Sequence, residues 1–263
     1  MNTQLRSRLA HSEAAATRLL AQSMFDQGNT LAVSEVWDVG SVVSLGPGRF
    51  VNRLLCHQDT LDVDHIDATI EFFTSRKLAP SIQITSRAPS AIVDRLAQRG
   101  FTVDWERVVL AGPAAESRGF HSTLSPTIAT VRDDDLDDWL DVLARGNGAN
   151  DAEQRERSNE HARAASGVHG SIDLLASVDG CPAACGSLQP VDGVAWVGGA
   201  ATLPEFREQG LQRALLDVRV DIAGLDGQEF VAATALPDST SSRNLQRADL
   251  SLVDHQTVWT CQH

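Results

Sequence analysis

One segment concentrates residues suited to anion chemistry. Thr202-Leu203-Pro204-Glu205-Phe206-Arg207-Glu208-Gln209-Gly210-Leu211-Gln212-Arg213-Ala214-Leu215-Leu216 reads as a strand end, a redirecting Pro, and an amphipathic helix with Gly in its first turn. The first amides of a helix have no partners inside it, and the helix dipole is positive there. A diphosphate fits such a group of N–H donors. Gly210 lets a phosphate approach the backbone without meeting a Cβ. Arg207 and Arg213 lie to either side and can add positive charge. An ordinary strand–turn–helix connection with a Gly at the helix start explains the same spacing.

Other chemistries find less support. Cys56, Cys181, Cys185 and Cys261 are spread out, with one C-x-x-x-C pair and no second pair to match it. That pattern suits reduced, packed thiols better than zinc. Asp133-Asp134-Asp135 lacks the spacing and Gly of a calcium loop and suits a helix N-terminus. Gly146-Asn147-Gly148 follows a helix, so it reads as a C-cap and loop and not as a dinucleotide fingerprint. His161 and His169 flank a loop and read as solvated. The motifs G-x-S-x-G, G-x-x-x-x-G-K-[ST] and H-E-x-x-H do not occur.

The elements that must position the turn can be read from periodicity and punctuation. After a strand at 127–131 come a helix at 133–145, with Leu136, Trp139, Leu140 and Leu143 on one stripe, and a polar helix at 151–164. Strands at 172–178, 183–189 and 194–202 are joined by Asp179-Gly180 and Asp192-Gly193, both hairpin dipeptides. A helix at 207–223, a strand at 228–234, a helix at 240–248 and a strand at 250–260 complete the second half. The first half reads as a helix at 3–24, strands at 31–36, 41–45 and 50–55, a helix at 63–77 and a strand at 81–85. A helix capped by Ser90 and ending at Gly100 follows, then a strand at 101–110. Gly112 to Ser122 is rich in Gly, Ala, Ser and Pro, which marks a linker. The expected division is 1–112, a linker at 113–123, and 124–263. The helix–strand order around Arg99-Gly100-Phe101 faintly echoes residues 207–260.

Bulk properties narrow the partners. The 263 residues allow one large domain or two of ordinary size. A net charge of −13 argues against nucleic acid, whose binders draw affinity from neutralised phosphates. It suits cationic small molecules such as amines. No stretch reaches the ~18 apolar residues of a spanning helix, and the first 25 residues lack a secretion pattern. The expectation is a cytoplasmic protein with no membrane partner, either a monomer or a homo-oligomer.

Residues 203–216 resemble the acyl-CoA signature R/Q-x-x-G-x-G/A of the GNAT superfamily of N-acetyltransferases. Arg207, Gly210 and Gln212 take the patterned positions, with Gln212 in place of the usual small residue. The meander before it, and Ser241-Ser242-Arg243-Asn244-Leu245-Gln246-Arg247-Ala248-Asp249-Leu250 after it, extend the resemblance over about 126–260. The last segment is similar to the family's Asn-bearing helix that ends in Gly-Phe, here Asp249-Leu250.

The resemblance implies an α/β (α+β) fold with a mixed, twisted sheet, splayed at its centre and flanked by helices. It implies acetyl-CoA (coenzyme A) as cofactor. The pantetheine arm would meet the strand end around Ala201 and Leu203. The diphosphate would meet Arg207 and the backbone of Glu208, Gln209, Gly210, Leu211, Gln212 and Arg213, and Asn244 would reach the cofactor from the next helix. Acyl transfer needs a deprotonated amine, a polarised thioester carbonyl and a protonated leaving thiolate. The family's usual acid is a Tyr, and this chain has none; a water, Ser241 or Cys261 could replace it. The family's Glu base has no match in Ala195-Trp196-Val197-Gly198-Gly199-Ala200. Residues 30–110 resemble a degenerate copy of the same fold, on Arg95-Leu96-Ala97-Gln98-Arg99-Gly100-Phe101, which implies a tandem arrangement with one cofactor site. The expected function is N-acyl transfer, acetyl above all, to a small amine or amino-acid-like acceptor. The alternative is an acyl-CoA-binding module without turnover.

Overall fold

The computed structural model describes residues 3–57, 60–114 and 126–261. They group into two compact units. The first comprises 1–110, 234–243 and 252–263, the second 111–233 and 244–251. Neither unit is contiguous in the chain. Most of the expected linker, 115–123, lies outside the described residues.

In the first unit, α1 (Thr3–Asp26) precedes β1 (Val33–Trp37), β2 (Gly40–Ser44) and β3 (Arg53–Cys56). Then come α2 (Val63–Thr74), β4 (Ser81–Thr85), α3 (Ser90–Gln98) and β5 (Phe101–Pro113). β1, β2 and β3 pair antiparallel, and β3 pairs parallel with β4. β11 (Ser251–Cys261), the last strand of the chain, pairs antiparallel with β4, from Gln256↔Thr85 to Thr260↔Ser81. The core gathers Phe73, Ile82, Leu96, Phe101 and Cys261. Pro89, and not Ser90, is the N-cap of α3, and it makes no side-chain cap bond.

The second unit holds β6 (Thr127–Thr130), α4 (Leu136–Gly146), α5 (Ala152–Ser166) and the meander β7 (Ile172–Val178), β8 (Cys181–Val191) and β9 (Val194–Thr202). α6 (Leu211–Leu225), β10 (Phe230–Ala235) and the later part of α7 (Thr240–Arg247) complete it. Its strand order is β10-β9-β8-β7-β6. Both hairpin turns put Asp then Gly at positive φ, 51° and 79° for Asp179-Gly180 and 52° and 76° for Asp192-Gly193. Those signs suit the twist of a two-residue hairpin. Side chains alternate across the sheet. Cys185, Ala201 and Leu203 pack with Trp139, Leu140 and Leu143 of α4, while Ala183 and Ala184 pack with Leu211 and Leu215 of α6.

β9 and β10 run parallel and pair only from Phe230↔Val194 to Ala232↔Trp196. β9 then continues to Thr202 without β10 beside it. The two strands part there, and the central sheet of this unit is splayed. No helix among the described residues is long and apolar enough to cross a membrane.

Candidate functional site

The expected phosphate turn has a different build from the one its sequence pattern suggests. The amphipathic pattern predicts a helix from Arg207, but α6 begins at Leu211. Pro204–Phe206 form a single 3-10 turn, and Glu208 has φ 63°. Gly210 is the N-cap of α6, with φ 82° and ψ 3°, and does not lie within the first helical turn. The left-handed conformation is open to Gly without penalty, which is why Gly stands here. Alternation of left-handed with right-handed residues is the backbone arrangement from which anion nests form, and Glu208 and Gly210 supply left-handed residues just ahead of α6. Ala214 N–H, at 3.0 Å from Gly210 O, makes the first i→i−4 bond of α6. The helix dipole adds its positive end at the same place.

The side chains around the turn are engaged within the unit. Arg207 donates to Thr202 O at 3.3 Å and Gly146 O at 3.0 Å. Arg213 pairs with Asp217 at 2.9 Å and donates to Arg247 O at the end of α7. Gln209 Nε2 donates to Glu205 O. Asn244 Oδ1 accepts from Arg247 Nη1 at 3.2 Å. Asn244 thus lies one helical turn from the carbonyl that holds Arg213.

Gln212 does not stand over the turn as a bulkier version of a small residue would. Its side chain folds inward, and Nε2 donates to Ala201 O at 2.6 Å, Cys185 O at 3.1 Å and Thr202 Oγ1 at 3.1 Å. That leaves the backbone of the turn uncovered by it.

The edge of β9 also differs from the expected assignment. Leu203 N–H donates to Ala183 O at 3.0 Å, and Ala201 O is held by Gln212. Both positions therefore turn these backbone groups toward β8. By the two-residue alternation of a ladder, Thr202 turns its backbone to the opposite edge, where β10 has left. Just before it, β9 is bulged. Cys185 pairs with Ala201 but Ser187 pairs with Gly198, so Gly199 and Ala200 oppose Gly186 alone. Gly199 has φ 53°, and a Cβ there would fall 2.3 Å from Ser187 Oγ. Gly198, Gly199 and Ala200 are exposed. Gly198-Gly199 inside a strand is the sequence signal for this bulge.

Two further residues gain importance from the tertiary structure. Gly146 is the last residue of α4, and a Cβ there would lie 2.7 Å from Ala201 Cβ and 3.0 Å from Thr202 N. Arg219 of α6 is 3% exposed and donates to Leu215 O, Ser187 O and Gly198 O. Burial lowers its pKa to about 10, so it remains protonated at neutral pH. The Cys185 thiol is pushed up to about 12 by burial and stays a thiol.

The candidate acids separate. Cys261 lies in the core of the first unit at 2% exposure, with its thiol against Arg99 O. Ser241 is exposed on α7. The Asp249-Leu250 pair reproduces the shape of Gly-Phe. Asp249 has φ 65°, its N–H meets Gln246 O, Leu250 N–H meets Leu245 O, and Leu250 is buried. This is the helix ending in which a left-handed residue precedes an apolar anchor. Gly100-Phe101 does the same after α3, with Gly100 at φ 80° and Phe101 buried. The corresponding turn of the first unit, before α2, is capped by the chain itself. Asp62 accepts from His65 N–H at 3.0 Å and places a carboxylate at the helix N-terminus. Asp135, in the acidic run, accepts from Arg132 N–H.

Residues 130–248 match the family model described as "Acetyltransferase (GNAT) family". Those residues are a GNAT domain. Over nearly its whole length the chain is similar in fold to a GCN5-related N-acetyltransferase from Kribbella flavida. The TM-score is 0.71 at 15% identity, covering 98% of this chain and 95% of that one. A GCN5-related N-acetyltransferase from Sphaerobacter thermophilus aligns at TM-score 0.60 and 16% identity, over 88% of this chain and 76% of that one. A tandem GNAT protein from the clavulanic acid biosynthesis pathway aligns at 0.57 and 14%, over 85% and 75%. A search of curated proteins finds no match. At these identities the structural likeness establishes the fold.

A CoA-type cofactor fits the residues present. The left-handed turn at Glu208 and Gly210 offers amides to a diphosphate. Gln212 is tucked away from it. The strand edge at Ala200 and Thr202 is left by β10, so an extended arm would have the backbone of Ala200 and the Thr202 N–H to pair with, while Thr202 O already accepts from Arg207.

Proposed function

We propose that the second unit is an acyl-CoA-dependent N-acyltransferase that moves an acetyl group to a small amine or amino-acid-like acceptor. The observation that carries this reading is the juxtaposition, within the GNAT domain, of the left-handed turn at the start of α6 and the unpaired end of β9. Bound acetyl-CoA supplies a thioester whose acyl carbon an amine can take, releasing free thiol. The backbone from Glu208 to Arg213 holds the diphosphate by N–H donation and dipole. The outer backbone edge at Ala200 and Thr202 holds the arm and orients the carbonyl. Asn244, beside Arg247, is the contact from α7. The formal charge of −13 favours a cationic acceptor.

A second reading, acyl-CoA binding without turnover, is favoured by the absence of Tyr from the chain and by the burial of Cys261 in the first unit. One experiment separates the two. The protein is titrated with acetyl-CoA by calorimetry, and free thiol is followed during incubation with a panel of amines. Binding with acceptor-dependent thiol release supports the transferase. Binding without release across the panel supports the second reading, and ADP binding as tightly as acetyl-CoA would defeat both.

A further inference from the structure

Gln212 and Arg219 lie seven residues apart on α6, two turns along one face. Both reach into the sheet, and the four carbonyls they hold flank the bulge. Gln212 takes Cys185 O and Ala201 O, the pair on one side of the register shift. Arg219 takes Ser187 O and Gly198 O, the pair on the other side. The bulged residues Gly199 and Ala200 lie between these two attachments. Gly186 opposite them leaves room for the clamp, because a Cβ there would lie 2.8 Å from Arg219 Cζ. The local sequence Gly186, Gly198-Gly199, Gln212 and Arg219 therefore forms one arrangement.

We infer that Gln212 and Arg219 are positioning residues that clamp the β9 bulge from beneath and fix the backbone edge from Gly198 to Thr202 for the acyl-bearing arm. The assignment rests on the acyl-CoA reading of this site. Its physical basis is the bulge itself. A bulge disrupts the ladder locally, so carbonyls beside it need other donors. A charged guanidinium and an amide from one rigid helix supply them and remove the freedom that the missing ladder bonds would otherwise allow. The same helix begins at the phosphate turn, so one element sets both the anion nest and the strand edge.

The test uses the full chain and the variants Arg219→Met, Arg219→Lys and Gln212→Glu. Glu at 212 sets a carboxylate against Ala201 O and Cys185 O. Met at 219 keeps bulk and removes the donors. Hydrogen exchange of peptides covering 194–202 is measured in the free protein, and CoA and ADP binding are measured by calorimetry. The expected result is exchange of the β9 peptides faster by about tenfold or more in Arg219→Met and Gln212→Glu, with Arg219→Lys between them and the wild type. CoA affinity falls by about tenfold in Arg219→Met, while ADP affinity stays within about twofold, because ADP reaches only the turn. Unchanged exchange overturns the clamp. Faster exchange with equal loss of CoA and ADP overturns its positioning role. If Arg219→Met does not fold, Arg219→Lys decides by the same readouts, and the half-buried Gln212→Glu decides by exchange alone, since its charge would lie beside the turn assigned to the diphosphate. Wild-type protein that binds neither probe would reject the acyl-CoA reading, while the exchange data would still judge the clamp.

Discussion

Gly210 is the position at which a single methyl group tests the site. It caps α6 at φ 82°, ψ 3°. An L-residue held there costs about 1–2 kcal/mol, because its Cβ approaches the following carbonyl. Asn tolerates this region better than Ala, and β-branched Val worse. Gly210→Ala can keep the left-handed turn and bear the strain, or relax and lose the amide nest. A relaxed turn must be restored before the ligand binds, and a retained turn carries a new Cβ where the phosphate is to approach the backbone; about 1.4 kcal/mol corresponds to tenfold in affinity. Gly210→Ala is therefore expected to weaken acetyl-CoA by about 5–30-fold, Gly210→Asn by less, and Gly210→Val by more. Gly180 is the control. It has φ 79° in the β7–β8 hairpin, and a Cβ there would meet no atom within 4 Å. Gly180→Ala should lower thermal stability by a similar amount and leave affinity alone. Isothermal calorimetry and thermal unfolding on the five proteins provide both numbers. If Gly210→Ala and Gly210→Asn bind acetyl-CoA as the wild type does, the diphosphate does not lie on this turn.

Two further outcomes follow from local geometry. Gly146→Ala forces α4 away from the end of β9, since its Cβ would stand 2.7 Å from Ala201 Cβ. Overpacking of this kind costs about 1–3 kcal/mol, so the denaturation midpoint should fall, and a midpoint equal to wild type would mean that the crossing is looser than the structure has it. His65, in the first unit, is drawn down by burial, but hydrogen bonds to Asp38 and Asp62 outweigh this and leave its pKa raised. A raised folded pKa adds stability that is complete below the ordinary unfolded value and is lost as pH rises through the raised one. The stability gap between wild type and His65→Gln should then be wider at about pH 5.5 than at about pH 8.5 in urea titrations; a gap that widens with pH would contradict the pairing.

Local signals carried much of the architecture. Asp179-Gly180 and Asp192-Gly193 announce two-residue hairpins because few other pairs accept positive φ at both positions. Ser81–Thr85 is a strand end to end as its β-branched pattern predicts. Other features escape a reading along the chain. The stripe Leu211, Leu215, Val218 and Ile222 leaves the start of the helix open, and a reading from Arg207 overshoots, because left-handed Glu208 and Gly210 hold the helix start at Leu211. Periodicity records which face is apolar and is blind to the sign of φ. The pairing of β11 with β4 joins segments about 170 residues apart, and no local pattern selects that partner. Nor does the sequence reveal that Arg207 and Arg213, which flank the turn as candidate phosphate cations, hold backbone carbonyls.

The sequence by itself pointed, by resemblance, to the GNAT domain that the family match places at 130–248, and to the turn before α6 as its candidate phosphate site. Both are written in short-range chemistry: a Gly where a helix begins, hairpin dipeptides before it, and an Asn-bearing helix after it. Only the tertiary structure decided which edge of β9 faces the splay, that Gln212 folds inward, and that Arg219 reaches the bulge. Those are contacts between segments far apart in the chain, fixed by how α6 packs on β8 and β9. A side chain's type restricts the bonds it can make, while the fold decides which partner comes within 3 Å or so.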